Sequence, residues 1–314
     1  MPSSILAAGT PDMAATGISA PRSGSGLFAT LGTLRRDKAA LVSGLFLLLV
    51  LVCALVGPTL LSQEARSMNL MQRNAAPFDL SRPFLYILGA DALGRSLLAR
   101  VIVASQNTLL IAGSAVLASM VVGSLLGLVA GYRQGVVGAT LLRLADAIMS
   151  FPSMLLAVIV LFIFEPGVTN VILVLAISRI PIFLRTVRAE VLEIRQRLFV
   201  TSALAMGAPT RRILLRHILP MVVPTIITLA ALEMAFVMLV ESGLSFLGIG
   251  IQPPEITWGL MVADGRNYIA SAWWVAFWPG LAIMLVTMSL NLFSNWLRVV
   301  SDPVERWRLL SKEE

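Results

Sequence analysis

The sequence predicts an all-α polytopic membrane protein with six transmembrane helices, and three observations predict it. Hydrophobic residues make up 57% of the 314-residue chain and charged residues only 13%, a balance foreign to soluble domains. Residues 39–61, 101–132, 147–164 and 267–297 contain no Asp, Glu, Lys or Arg, and a span needs only roughly 20 mostly apolar residues. Two more runs, 166–184 and 218–248, qualify once Arg179, Glu233 and Glu241 are admitted. Lipid offers the backbone no hydrogen-bond partner, so each run is predicted to be a helix that satisfies its own backbone.

Taken in order, residues 1–34 are rich in Ala, Gly, Ser, Thr and Pro and predict a disordered cytoplasmic tail. They are not a cleavable signal, because the apolar run begins late and is too long. Residues 35–100 hold the first membrane helix and a long extracytoplasmic segment; 101–303 hold the other spans, with a loop at about 190–217; 304–314 form a second tail. Arg35, Arg36 and Lys38 precede the first span and place the N-terminus in the cytoplasm. Six spans then return the C-terminus to the same side. On that topology sixteen Lys and Arg lie inside and six outside, the bias that insertion requires. The charge of +7 is therefore a topology signal rather than a nucleic-acid footprint.

Several chemistries are missing. The only lysines, Lys38 and Lys312, do not follow a glycine, so the Gly-Lys-Ser/Thr of a phosphate-binding loop is absent. One histidine, His217, and one cysteine, Cys53, exclude the common zinc clusters and an intrachain disulfide. No catalytic residue and no resident metal or cofactor is predicted.

The stretch 203–220, ALAMGAPTRRILLRHILP, stands out in this oily chain. Leu192, Leu198, Phe199, Ala203 and Met206 recur at helical spacing and predict a helix over 190–206. Gly207 suits a left-handed helix end and Pro209 stops continuation. A second short helix over 210–217 would lead to Pro220 and the fifth span. The result is a compact knob facing the cytoplasm. Ala203, Ala205 and Gly207 remove bulk where another surface could approach, and Arg211, Arg212 and Arg216 line the rim. A simple positive-inside anchor is the plain alternative.

These residues also carry a resemblance. Core membrane subunits of ABC importers contain an EAA loop: Glu-Ala-Ala, three residues, Gly, nine residues, then Ile-x-Leu-Pro. Ala203, Gly207, Leu219 and Pro220 fall at that spacing, with Thr201, Ser202 and His217 in place of Glu, Ala and Ile. The wording GAPTRRILLRHILP resembles the dipeptide/oligopeptide/nickel permease branch, as do LGADALGRSLLAR (88–100), residues 130–157 and 241–262, and LRVVSDP (297–303). The likeness covers about 35–303 and suits the C-type permease subunit of a type I ABC importer. It implies a knob that acts as a coupling helix, with Thr201, Ser202, Ala203, Ala205, Gly207, Ala208, Pro209 and Arg212 at the ATPase contact. It implies as partners a B-type permease subunit forming a heterodimer, two cytoplasmic ATPase subunits that bind ATP and Mg, and an extracytoplasmic binding protein. The setting would be the bacterial inner membrane. The cargo would be di- or oligopeptides, with nickel or another metal chelate as the alternative.

The remaining charges allow two readings each. Arg143 and Asp146, three apart, are expected to pair on one helical face. Glu233 and Glu241, eight apart on nearly one face of the fifth span, could line the pathway or lock that span to a neighbour. As proton carriers they would instead suit a secondary transporter, a class whose inverted repeats are not evident. A non-transporting scaffold whose knob recruits a soluble partner is a third class. Trp258, Trp273, Trp274 and Trp278 are expected to form an interfacial belt. Gly113, Gly123, Gly127 and Gly131 are expected to let a neighbouring helix approach closely.

Overall fold

The computed structural model describes residue 34 and residues 37–165 and 167–301. The expected tails, Arg35, Arg36 and the end of the LRVVSDP motif lie outside the described residues. Within them the regular elements are helical, and the one β-bridge joins Ala90 to Ser96. Five helices are long and apolar enough to cross a membrane, or six if a bent pair counts as one span.

Helix α1, Lys38–Arg66, starts where the Asp37 carboxylate accepts the Ala40 amide at 3.1 Å, an N-cap that satisfies one orphan donor. Its leucines at 45, 48, 49, 55 and 60 point away from the protein, as expected for a peripheral helix in lipid. Helix α2, Leu97–Tyr132, has 36 residues and is about 54 Å long. It is the spine of the molecule, packing on α1, on α5 (Val168–Ile194) and on α7 (Thr210–Phe246). The expected close approach occurs between α2 and α5. A Cβ at Gly123 would lie 2.7 Å from the Ile180 carbonyl oxygen, one at Gly127 2.8 Å from that of Leu184, and one at Gly131 3.0 Å from that of Arg188. Three successive glycines thus put backbone against backbone along two turns. Gly113 departs from the pattern: a Cβ there would meet only the Met234 side chain, at 4.0 Å.

The third span differs from expectation. The uncharged run 147–164 is divided into α3, Val136–Met149, and α4, Ser153–Phe164, which meet at 83°. Pro152 is the cause: it has no amide and drives Phe151 out of helical geometry. The 12 residues of α4 reach about 18 Å, so α4 is too short to cross the hydrocarbon core alone.

The loop differs as well. No single helix covers 190–206; α5 continues to Ile194, residues 195–197 turn, and α6 is Leu198–Ala205. Arg195 fixes the turn by donating to the Tyr132 carbonyl at 3.0 Å, its guanidinium lying over the Tyr132 ring. Helix α7 then runs unbroken from Thr210 to Phe246. Instead of a separate short helix before Pro220, a π-helical turn at Ile213–Ile218 carries the ladder into the fifth span. The wider turn rearranges the hydrogen bonds where Pro220 has no amide to give. Helices α8, Trp258–Gly265, and α9, Trp274–Ser301, complete the fold.

Candidate functional site

The two ends of the α2 spine are built differently. The knob end carries Tyr132, the 195–197 turn and α6. The opposite end carries the 67–96 segment, the start of α2 and α8, and is called here the latch end.

At the knob, Val200 and Ala203 turn inward and join Ile194 and Ile213 in the core. The helix end is a Schellman motif: the Ala208 amide donates to the Ala203 carbonyl at 3.0 Å and the Gly207 amide to that of Leu204 at 2.9 Å. This motif needs a left-handed residue, and Gly207 has φ +76°. A Cβ on Gly207 would meet nothing within 4 Å. The fold therefore requires its backbone freedom, while its lack of bulk serves no contact inside the chain. Outward-facing apolar groups surround it: Leu198 is 85% exposed and Met206 82%, with Phe199 and Leu204 also exposed. Of the residues predicted to touch a motor, Thr201, Ser202, Ala205, Gly207, Pro209 and Arg212 are exposed and Ala208 is half-buried. Ala203 is corrected: at 5% exposure it packs inward, because its small side chain lets α6 settle on the core. Arg211 and Arg216 are exposed, and His217 is half-buried on the π turn.

The charges inside the spans find separate partners. Arg179 of α5 lies 3.5 Å from a Glu233 carboxylate oxygen of α7, and its guanidinium sits 4.3 Å from the Phe236 ring centroid. Glu241, only 1% exposed, accepts from the Ser245 hydroxyl at 2.9 Å and the Thr257 hydroxyl at 3.0 Å. One carboxylate thus joins α7 to α5 and the other joins α7 to the loop that begins α8. The expected Arg143–Asp146 pair is absent: Asp146 bonds Arg185 of α5 instead. The cause is the tertiary packing of α3 on α5, which brings a closer cation than the neighbour on its own helix.

At the latch end Asp91 is a hub. One oxygen accepts the Leu93 and Arg95 amides, each at 2.9 Å; the other meets the Arg95 side chain at 2.6 Å and Arg100 at 2.7 Å. Arg100 is 4% exposed and also approaches Asp264 of α8 at 3.8 Å. Nearby on the surface, the Ser81 hydroxyl and amide hold the Asp79 carboxyl below the usual range, and Arg82 adds to the effect. Sequence reasoning quoted the 88–100 segment but did not see this hub; the signal was an Asp and two Arg at spacings 4 and 9 before a span. The tryptophan belt is also revised. Trp258 is 2% exposed, donating its indole N–H to the Val101 carbonyl at 2.8 Å, and Trp274 donates to the Ala90 carbonyl at 3.2 Å. Trp273, Phe277 and Trp278 stack edge-on beside them.

Comparisons with known proteins agree with this architecture. Residues 123–306 match the family described as binding-protein-dependent transport system inner membrane component. Residues 30–77 match the N-terminal TM domain of oligopeptide transport permease C. The chain is 38% identical over 271 residues to a di/tripeptide transport system permease protein DppC of Pseudomonas aeruginosa, covering 85% of this chain and 88% of the relative. It is 35% identical over 269 residues to a glutathione transport system permease protein GsiD of Pectobacterium atrosepticum, covering 85% and 88%. It is 33% identical over 270 residues to a probable D,D-dipeptide transport system permease protein DdpC of Escherichia coli, covering 86% and 89%.

Proposed function

Because the chain belongs to the binding-protein-dependent transport system inner membrane component family, we propose that it forms one half of the membrane pathway of an ATP-driven importer of di- or oligopeptides. The relatives' names support the cargo class: di/tripeptide, glutathione and D,D-dipeptide are all short peptides. That agreement favours peptides over a metal chelate.

The observation that carries the mechanism is the knob. Leu198, Phe199, Leu204 and Met206 expose apolar surface on a short helix outside the membrane-span candidates. Exposed apolar surface of this kind marks a protein interface. Under this reading a cytoplasmic ATPase subunit receives the knob in a groove, and a second ATPase serves a B-type permease partner. ATP and Mg act on those subunits; this chain contributes motion and no catalytic group. Both termini face the cytoplasm, and the latch end meets an extracytoplasmic binding protein. Closure of the ATPases would move α6, and α7 follows through the π turn. Substrate and nucleotide can bias such an equilibrium only by binding its two states differently. The Arg179–Glu233 and Glu241–Thr257 links join α7 to the helices beside it, so they would resist or register its movement along the pathway.

The test pairs Gly207→Asp with Met206→Asp. The first adds bulk, charge and a left-handed strain of about 1 kcal/mol; the second adds charge without strain. Both should insert normally, lose ATPase subunits in pull-down, and lose ATP-dependent peptide uptake in proteoliposomes. Normal pull-down and uptake by both variants would remove the knob from the mechanism. Uptake that persists without ATP and collapses with the proton gradient would remove the importer reading itself.

A further inference from the structure

Transport by the knob leaves one feature unused. A groove of about 520 Å³ opens where the end of α2 passes the start of α7. This is the size of an ordinary small-ligand site. Its walls are Leu125, Leu128 and Val129 of α2 with Leu214 and Leu215 of α7; Tyr132, Arg133 and Arg211 also line it.

The sequence sets its depth. No charged residue occurs over 101–132, so Arg133 is the first charge past that span. Val129 lies about 6 Å and Leu125 about 12 Å deeper along the helix. The groove's charged rim therefore stands at the polar end of both helices, and its apolar wall lies on the side toward the spans. Leu125, Val129 and Leu215 are 53%, 38% and 46% exposed, so its wall is open to the surroundings. On α7 the order matches: Arg211 is in the first turn, and Leu214 and Leu215 follow one turn later.

Among the described residues neither Arg133 nor Arg211 has an ion-pair partner; the pairs there use Arg82, Arg95, Arg100, Arg179, Arg185 and Arg197. Two uncompensated guanidiniums above an apolar channel, with a tyrosine at the boundary, complement a phosphate attached to a hydrocarbon chain. We propose that this groove seats an anionic phospholipid, its phosphate between Arg133 and Arg211 and an acyl chain along Leu125, Val129 and Leu215. The occupant would touch the π turn that joins the knob to the fifth span. This site does not depend on the peptide-importer reading, since its test measures lipid rather than transport.

The full chain, purified with its partner subunits, is placed in nanodiscs of equimolar phosphatidylcholine and phosphatidylglycerol. Lipid retained after delipidating washes is then counted by native mass spectrometry. Phosphatidylglycerol should be retained over phosphatidylcholine by about tenfold or more. The variant Arg133→Gln/Arg211→Gln should lose the preference, and Arg133→Lys/Arg211→Lys should keep most of it, which separates charge from misfolding. Equal retention of both lipids by the wild type, or a preference untouched by the glutamine variant, would overturn the site. So would loss of the lipid whenever ATPase subunits are bound, because the groove would then belong to the motor. Displacement by soluble glycerol 3-phosphate would also overturn it, since the acyl seat would be idle.

Discussion

Helices α6 and α7 end in the same local device with opposite consequences. At the knob, Gly207 at φ +76° closes a Schellman motif; at the latch end, Gly248 at φ +79° closes another, with the Ile249 amide bonded to the Leu244 carbonyl at 3.1 Å. After Gly248 the chain folds back and spends its polar groups on the protein. The Trp258 amide donates to the Thr108 hydroxyl at 3.1 Å, and Asn107 donates to Glu255 at 2.8 Å. Ile251, Ile256 and Met261 are buried with it. After Gly207 the chain returns Ile213 to the inner face of α6, while Met206 and Leu198 face outward uncovered. The cap chemistry ends the helix in both places. Whether the surface beside it is finished depends on what the same chain brings there. The loop after Gly248 covers its own apolar side chains; the knob beside Gly207 leaves Leu198 and Met206 exposed, as the 67–96 segment leaves Met71 and Leu80.

The strongest way to break this comparison is at Asp91. It is 6% exposed and pairs with Arg100, which is 4% exposed. Removing one member of a buried pair leaves an uncompensated charge and costs about 3–5 kcal/mol. Asp91→Ala should therefore lower the unfolding free energy of the detergent-purified chain by that amount and reduce the recovered folded protein. A double variant, Asp91→Asn with Arg100→Met, should regain part of the loss, because both charges are gone. If Asp91→Ala unfolds within 1 kcal/mol of wild type, the latch end is not self-sufficient and the contrast with the knob fails.

A smaller effect is expected at Glu241. Its carboxylate takes two hydroxyl donors, Ser245 and Thr257, at 1% exposure. Glu241→Ala strands both hydroxyls, at about 1–3 kcal/mol, whereas Glu241→Gln keeps an acceptor and should cost less. Protease or hydrogen-exchange protection of residues 249–265 reads this directly. Equal protection in both variants and the wild type would show that α8 is held by packing alone.

Much of this was legible in the sequence, and the reason differs from element to element. Spans such as 101–132 could be read because lipid tolerates no charge and no broken ladder along them. The knob could be read because Gly207 and Pro209 act locally. What escaped was set by partners distant in sequence. Arg185 is 39 residues from Asp146, so the nearer Arg143 looked like the partner. Trp258 belongs to the core because its indole reaches Val101, 157 residues away, and no local pattern distinguishes that from a belt. Pro220 looked like a helix start; the π turn that absorbs it is visible only in the hydrogen-bond ladder. Ala203 looked like surface because its neighbours do, and only the seat of α6 on Ile213 turned it inward.

The smallest predicted effect sharpens the comparison from the knob side. Asp146 and Arg185 form a pair whose side chains are 58% and 45% exposed. Solvent screens such a pair, and pairs of this kind contribute about 0–1 kcal/mol. Asp146→Asn and Arg185→Gln should each change the unfolding free energy by no more than that, and the double variant should match the singles. Arg143→Gln should do nothing measurable, since Asp146 faces α5. Salt separates the outcomes further: raising it from 0.1 to about 1 M shortens the screening length from about 10 to about 3 Å and should erase any difference between wild type and Asp146→Asn. The same salt step should leave most of the Asp91→Ala defect in place, because Arg100 is only 4% exposed and little screened. If instead Asp146→Asn costs as much as Asp91→Ala, the pair is covered in the assembled protein, and the surface of α3 and α5 that carries it is an interface rather than a solvated face.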